Sequence, residues 1–349
     1  MIYTKTYLDD IKSIQNEIPN LNRIANQKIL VTGAGGMICS CIVDTLLVLN
    51  ELLNLNIQIY AMGRNKEKLE KRFGEYAKKK EFYYILQDVV YPLEMEESFD
   101  FLIHGASNAN PGEYVQHPVE TMLANFDGMK NILEYARKCK AKRVLYISSS
   151  EVYGKKTDNT PYGENDYNYV DILNFRACYP SSKRAAETLC AAYKKEYGID
   201  SVIVRPGHIY GPTMTNSDNR ASSQFPRDVL EGKNIIMKSQ GSQLRSYCYV
   251  LDCVSAIITV LLNGESGEAY NISNVKSIAT IRQIAECFAS TGKKKVVFDI
   301  PTETEKQGYN LMQNSSLTSD KLEQLGWHGI FDLKTGVAHT LKCLGYEDI

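Results

Sequence analysis

From Lys28 onward the chain alternates short, almost wholly apolar runs with longer stretches whose apolar positions recur every three to four residues. The short runs suit buried strands and the longer pattern suits helices that cover them, so the rhythm predicts βαβ units on a parallel sheet. The predicted strands are KILVT (28–32), IQIYAM (57–62), FYYILQ (82–87), DFLIHGA (100–106), RVLYISS (143–149) and DSVIVRP (200–206). Pro118–Cys139 and Arg176–Tyr197 are the clearest helices between them, the second followed by Gly198 where a helix C-terminus favours glycine. Six such alternations predict an α/β protein with a Rossmann-like, doubly wound parallel sheet.

After Arg205 the rhythm breaks. Residues 206–225 are rich in Gly, Pro, Ser and Asn and read as a long ordered loop, a kind of segment that is usually functional. Short strands are expected within 235–250, a helix at 252–264, a strand at 268–273, a helical stretch at 317–327 and a last amphipathic helix near 332–344. The division expected is a helical prefix (1–27) serving packing or dimerisation, a first domain over 28–205 to which 252–273 returns, and a smaller, discontinuous C-terminal lobe from 206–251 and 274–349.

Composition narrows the class without naming it. A hydrophobic share of 44% with 23% charged residues is that of a soluble globular protein, and a net charge of −1 favours neither nucleic acid nor a membrane surface as partner. No apolar run approaches the ~20 residues that span a bilayer. The polar N-terminus is unlike a secretory leader. The nine cysteines form no CxxC pair and are odd in number, which favours reduced thiols in a cytoplasm and no metal. The charge run 64–81 carries both signs and reads as a solvated helix.

Two motifs carry chemistry. Directly after the first strand, TGAGGMIC (32–39) places Gly33, Gly35 and Gly36 before a helix that opens with Met37 and Ile38. Glycines at a strand-to-helix turn let backbone N–H groups approach a pyrophosphate at the positive end of the helix, so a dinucleotide is the expected ligand. The third small position is filled by Cys39, whose thiol has to fit where the helix crosses closest to the strand. The second strand ends in AMGRN without the acid that binds a ribose 2′-hydroxyl; Arg64 stands there and tilts the expected cofactor from NAD toward NADP. Asp88, followed by Val89, is a candidate adenine contact. Further on, CYPSSKRAAE (178–187) sets Tyr179 and Lys183 four apart on one helix face. A free phenol ionises near ~10, and a neighbouring ammonium is expected to lower that value until Tyr179 can act as a base.

Taken in order, TGAGGMI, HGAS, ANFDGMKNILEYA, ISSSEVYG, YPSSK and RPGHIYGP resemble the extended short-chain dehydrogenase/reductase superfamily, its NAD-dependent epimerase/dehydratase family. The resemblance covers about residues 28–330 and implies an enzyme acting on a nucleotide-diphosphate sugar through a 4-keto intermediate. It implies Ser149 as the hydroxyl partner of Tyr179 and Lys183, and Ala106, Ser107 and Asn125 around the nicotinamide. It also implies a homodimer through the helices at 118–139 and 176–197. Ser150–Glu151 stands where dehydratases of the family carry Asp–Glu, and serine is a poor proton donor to a leaving hydroxyl. Ser–Glu resembles instead the UDP-glucuronate decarboxylases (UDP-xylose synthases). So do the stretch 104–125, which contains Asn108, the loop 210–225, and GSQLRSYCYVLD, which places Arg245 beside a substrate phosphate or carboxylate.

The sequence departs from the family twice. His208 replaces an asparagine that touches the nucleotide sugar, as a phosphate donor or as a structurally bonded ring. The stretch YNLMQNSSLTSDKLEQLGW (309–327) lacks the arginine that grips the diphosphate. Decarboxylation is therefore expected first, with 4-epimerase, 4,6-dehydratase or 4-ketoreductase as the alternatives. A catalytically idle dinucleotide-binding sensor is the reading from another class.

Overall fold

The computed structural model describes residues 3–76, 78–215, 217–299 and 312–346. In chain order its regular elements begin with α1 (Lys5–Ser13), β1 (Lys28–Thr32), α2 (Met37–Leu53), β2 (Gln58–Gly63), α3 (Lys66–Phe73), β3 (Phe82–Leu86) and β4 (Phe101–His104). Then come α4 (Pro111–Gln116), α5 (Pro118–Cys139), β5 (Arg143–Ile147), α6 (Cys178–Tyr197), β6 (Ser201–Pro206), β7 (His208–Tyr210) and α7 (Ala221–Leu230). The remainder is β8 (Ile235–Met237), β9 (Leu244–Tyr249), α8 (Val250–Asn263), β10 (Ala269–Ile272), β11 (Ile278–Thr280), α9 (Ile281–Thr291), β12 (Val296–Phe298), β13 (Asn314–Ser315), α10 (Asp320–Glu323) and α11 (Leu333–Cys343).

Seven strands form one sheet in the order β10-β6-β5-β4-β1-β2-β3, and every pairing within it is parallel. Its central strands bury both faces, which is why they read as unbroken apolar runs. One face packs against α2 and α8, whose residues dominate one core cluster. The other face supports Met129, Ile132 and Leu133 of α5 together with Ala186 and Cys190 of α6. The chain order reverses between β1 and β4, and in open α/β sheets the crevice at the carboxyl ends of such strands is where ligands bind. Gly198 closes α6 in the left-handed conformation, as its position in the sequence suggested.

Two stretches differ from the sequence expectation. The supposed loop 206–225 contains β7, paired in parallel with β9, and ends in the first turn of α7. A three-residue strand whose partner lies some forty residues away leaves no local period to read. Of the helical stretch 317–327 only Asp320–Glu323 is α-helical.

The N-terminal prefix packs as a clasp. Tyr7 donates to Asp44 of α2 (2.7 Å), while Asp10 accepts from Tyr249 of β9 (3.0 Å) and bonds His339 of α11 (2.8 Å). Asp44 is fully buried and ion-paired to Arg72 of α3, and the prefix supplies Tyr7 as a further hydrogen-bond donor to that buried charge. All nine cysteines are free, and no helix among the described residues is long and apolar enough to cross a membrane.

Candidate active site

The glycine turn is built as its sequence requires. Gly33 sits at φ +69°, and a Cβ there would lie 2.7 Å from Ala106 Cα, so the turn crosses directly over the backbone that follows β4. Gly36 caps α2 with no side-chain hydrogen bond, leaving its N-terminus bare, and a Cβ on Gly35 would meet nothing within 4 Å. Met37 and Ile38 open the helix, and the Met37 carbonyl accepts from Thr213 (2.9 Å), which draws the segment after β7 over the helix start. Room for Cys39 comes from the facing strand end: a Cβ on Gly105 would fall on the Cys39 sulfur. Across the crevice, Ser107 Oγ and Asn125 Oδ1 are buried without a hydrogen-bond partner. Asn125 is held in place by its amide, which donates to Ser182 of α6 (3.0 Å). An open glycine turn at a bare helix N-terminus, with two unsatisfied buried polar atoms beyond it, fits a dinucleotide.

At the rim, Arg64 meets Asp88 rather than empty solvent, with Nη1 3.3 Å from Oδ2. Val89 buries its side chain beside α5, and its carbonyl accepts from Asn131 (2.9 Å).

At the end of β5 the backbone turns sharply. Ser149 is extended and caps the short 3₁₀ turn Ser150–Tyr153, accepting from Glu151 N (3.2 Å). The first two turns of α6 bring Tyr179 and Lys183 to the same place, both nearly fully buried. Lys183 Nζ donates to the Ile147 carbonyl (2.8 Å) and lies 4.8 Å from the centre of the Tyr146 ring and 5.7 Å from that of Tyr179. Burial lowers its pKa to about 7, against the opposing pull of Glu187.

The expected lowering of the Tyr179 phenol by Lys183 does not hold. Its pKa is pushed up to about 12, by burial first and by the charge of Glu151 second. A hydrogen bond with Ser149 and the charge of Arg220 oppose the rise. The reason is that a buried ammonium is itself disfavoured, and this one is aimed at the Ile147 carbonyl.

Glu151 is not a free carboxylate. Arg176 grips it with two N–H groups (3.1 and 3.2 Å) and also donates to Tyr114 Oη (3.3 Å). The Arg176 guanidinium lies over the Tyr114 ring (5.5 Å), and that ring stacks on Tyr179 (5.1 Å, 20°). Arg176, Tyr114 and Tyr179 thus form a three-layer stack bridged by Glu151. Neither Arg176 nor Tyr114 was picked out from the sequence; Arg176 could have been, because it stands three residues before Tyr179 in NFRACY.

The second lobe contributes three more groups. Arg245 is 3% exposed and donates to the Leu244 carbonyl (2.8 Å); burial pulls its pKa down, while Tyr247 and Glu151 counter. His208 lies across from Tyr247 in the β7–β9 register, and its Nδ1 is buried without a partner. Burial, Arg245 and Arg220 lower its pKa to about 3, so the ring is neutral, and it is not the bonded structural histidine that was one expectation. Arg220, also missed in the sequence, is bound by Asp218 (2.6 and 2.9 Å). Ser150 opens the 3₁₀ turn, and Asn108 lies half-buried in the loop after β4. Of the stretch that lacks an arginine, residues 309–311 lie outside the described residues. In the rest, Asn314 turns back on itself, accepting from Ser316 N (2.8 Å) and donating to Asn159 O (2.6 Å).

Residues 29–273 match the profile of the NAD dependent epimerase/dehydratase family. The chain is 32% identical over 314 residues to UDP-glucuronic acid decarboxylase 6 of Arabidopsis thaliana, covering 90% of this chain and 87% of that protein. It is 29% identical to UDP-glucuronic acid decarboxylase 1 of Xenopus tropicalis, covering 95% and 78%. Among solved structures, the fold is similar to that of a dTDP-glucose 4,6-dehydratase from Streptomyces venezuelae with NAD bound (TM-score 0.78, 21% identity, 92% of this chain and 97% of that one).

Proposed function

The chain belongs to the NAD dependent epimerase/dehydratase family, and on that premise we propose that it decarboxylates UDP-glucuronate through a 4-keto intermediate. The observation that carries this reading is the pairing of Glu151 with Arg176 (3.1 Å) beside a serine, Ser150, where a dehydratase needs an acid. Loss of water requires a proton donor to the leaving hydroxyl. Loss of CO₂ from a β-keto acid requires none. The similarity to plant and frog UDP-glucuronic acid decarboxylases supports the same choice.

Ser149 holds the sugar C4 hydroxyl against Tyr179, which would take its proton as a phenolate, the form that burial disfavours and that the positive charge of a bound oxidised nicotinamide would favour. A dinucleotide held there would supply the hydride acceptor for C4 and, once reduced, the hydride that restores it. With C4 a ketone, the electrons of the C5–carboxylate bond move into the carbonyl, CO₂ leaves, and an enolate remains for protonation at C5. The buried Arg245, near enough to feel the charge of Glu151, meets the substrate carboxylate or phosphate. Glu151, steadied by Arg176, acts on the substrate as well, with Asn108 and the neutral His208 completing the sugar pocket. Ser149, Ser150, Glu151, Tyr179 and Lys183 are the catalytic set. Gly33, Gly35, Gly36, Met37, Ile38, Ala106, Ser107 and Asn125 hold the cofactor, with Lys183 on the nicotinamide ribose and Asp88 and Val89 near the adenine. Arg64 favours NADP over NAD.

Residues 28–205 with 252–273 form the cofactor domain, and the remaining segments after 205 cover the sugar. Val119, Met122, Leu123 and Phe126 make an exposed apolar stripe on α5, the face we assign to a homodimer. Leu123→Glu would then sediment as a monomer; an unchanged sedimentation coefficient rejects the stripe.

Mass spectrometry of UDP-glucuronate incubated with the protein and NAD⁺ or NADP⁺ tests the reaction. A product lighter by CO₂ is expected. Loss of water, inversion at C4 without mass change, or net cofactor consumption would mark dehydratase, epimerase or ketoreductase instead. Tyr179→Phe should abolish turnover while leaving dinucleotide binding intact; retained turnover would remove Tyr179 from the chemistry.

A further inference from the structure

Lys183 carries a buried charge without a counter-ion. Among the described residues no carboxylate forms an ion pair with it, and Glu187, one turn further along α6, is committed to Arg205 (2.6 Å). The hydrogen bond to the Ile147 carbonyl occupies one of the three ammonium N–H groups. The charge itself lies against two aromatic rings, 4.8 Å from the centre of Tyr146 and 5.7 Å from that of Tyr179. The nearer ring is fixed from the sheet. Thr32 of β1, His104 of β4 and Tyr146 of β5 are partners in register, so their side chains stand in one row on the same face. His104 Nδ1 shares a hydrogen bond with Thr32 Oγ1 (2.8 Å), and its ring stacks on that of Tyr146 (5.7 Å, 18°). Tyr146 is fully buried, yet its hydroxyl meets no hydrogen-bond partner among the described residues. An unpaired buried hydroxyl is destabilising, so what the tyrosine offers at this place is its ring.

We propose that Tyr146 is a positioning residue for Lys183: its ring, braced by His104, takes the place of a counter-ion and holds the ammonium charged at the nicotinamide ribose. The proposal rests on the assignment of Lys183 to the cofactor, not on the decarboxylation. A cation over an aromatic face is attracted by the ring quadrupole, most strongly where water is excluded. A carboxylate would take up N–H groups in hydrogen bonds; a ring face leaves those not given to Ile147 free for ribose hydroxyls. Burial pulls Lys183 down to about 7, while Glu187 and Cys39 act against it. Burial pushes the Cys39 thiol up to about 12, and burial with the charge of Lys183 holds His104 down to about 3. Tyr179 is pushed up to about 12 as well. None of these three changes charge near neutrality, so a titration seen there belongs to Lys183.

The test is fluorescence titration of the full chain with NADH, without sugar, from about pH 5 to 9, a range centred on the lysine. Wild-type affinity should fall on the alkaline side as Lys183 loses its proton, and Lys183→Met should remove that fall. Tyr146→Leu and Tyr146→Met fill the site without a ring. Both should move the midpoint down by about one pH unit, the size of a desolvated cation–ring contact. At pH 7 that shift leaves about a tenth of the lysine charged instead of about half, so NADH affinity should drop about fivefold. Tyr146→Phe keeps the ring and should restore the wild-type midpoint. One midpoint shared by the wild type, Tyr146→Leu and Tyr146→Met overturns the proposal. So does a Tyr146→Phe midpoint shifted as far as that of Tyr146→Leu, which would place the effect in the hydroxyl. A Lys183→Met profile identical to that of the wild type overturns it too. Failure of UDP-glucuronate turnover would sink the decarboxylase reading and leave these midpoints untouched.

Discussion

Replacing Arg205 with methionine should cost this protein a large part of its stability, and the structure says how much. Arg205 is 2% exposed and grips Glu187 of α6 with two bonds (3.0 and 2.6 Å); Glu187 itself is only 10% exposed. Its remaining guanidinium nitrogen donates to Tyr153 Oη (3.0 Å) and to the Glu164 carbonyl (2.7 Å). Methionine fills much of the volume but leaves the Glu187 carboxylate buried and unpaired. Breaking such a pair from one side costs about 3–5 kcal/mol, against a total of about 5–15 kcal/mol for a folded domain. The urea midpoint should fall accordingly. Removing both charges is a milder change, so Arg205→Met/Glu187→Leu should recover most of the loss. Activity is coupled to the same network. Tyr153 closes the turn that carries Glu151, and Glu187 lies one turn beyond Lys183, so turnover in the single variant should fall on the order of ten- to a hundredfold through misplacement alone. A stability change below about 1 kcal/mol would refute the reasoning. A double variant no more stable than the single one would refute it equally.

Three further outcomes follow from the site. Arg176→Met removes the guanidinium bound to Glu151 and should cut kcat/KM for UDP-glucuronate about tenfold or more, with partial rescue by Arg176→Lys; wild-type kinetics would exclude the pair from function. Gly33→Ala puts a Cβ 2.7 Å from Ala106 Cα in a left-handed conformation, which costs about 1–2 kcal/mol in strain alone. Calorimetry should record a lower Tm and lost dinucleotide binding, and an unchanged affinity would mean the turn is not the phosphate site. The Lys183 pKa is lowered from 10.5 to about 7 in the folded state, so between those values the unfolded chain binds the extra proton and stability rises with pH. Below about pH 7 both states carry the charge and the full cost of burial remains. Lys183→Met should therefore raise Tm most at and below pH 7, with the gain shrinking toward pH 10; a gain independent of pH would contradict a strained ammonium.

The parts of this protein legible in its sequence are those whose cause is local. Six strands of the parallel sheet, the glycine turn and the long helices are written in apolar periodicity and in residues that tolerate special backbone angles. Tyr179 and Lys183 are legible for the same reason, since a spacing of four is a contact on any helix. Even the awkward Cys39 was visible as a problem, although its solution, the space left by Gly105, came from another strand. What tertiary structure alone decided are the pairings between segments. Arg176 reaches Glu151 across 25 residues, Arg64 reaches Asp88 across 24, and β7 finds β9 on a different branch of the fold. No period in the chain encodes a partner at such a separation, because only closure of the whole sheet brings the two ends together. The ionisation of Tyr179 belongs to the same group: the motif promised a phenol lowered by its lysine, but desolvation sums over every atom that excludes water, and here that sum exceeds the charge of any single neighbour.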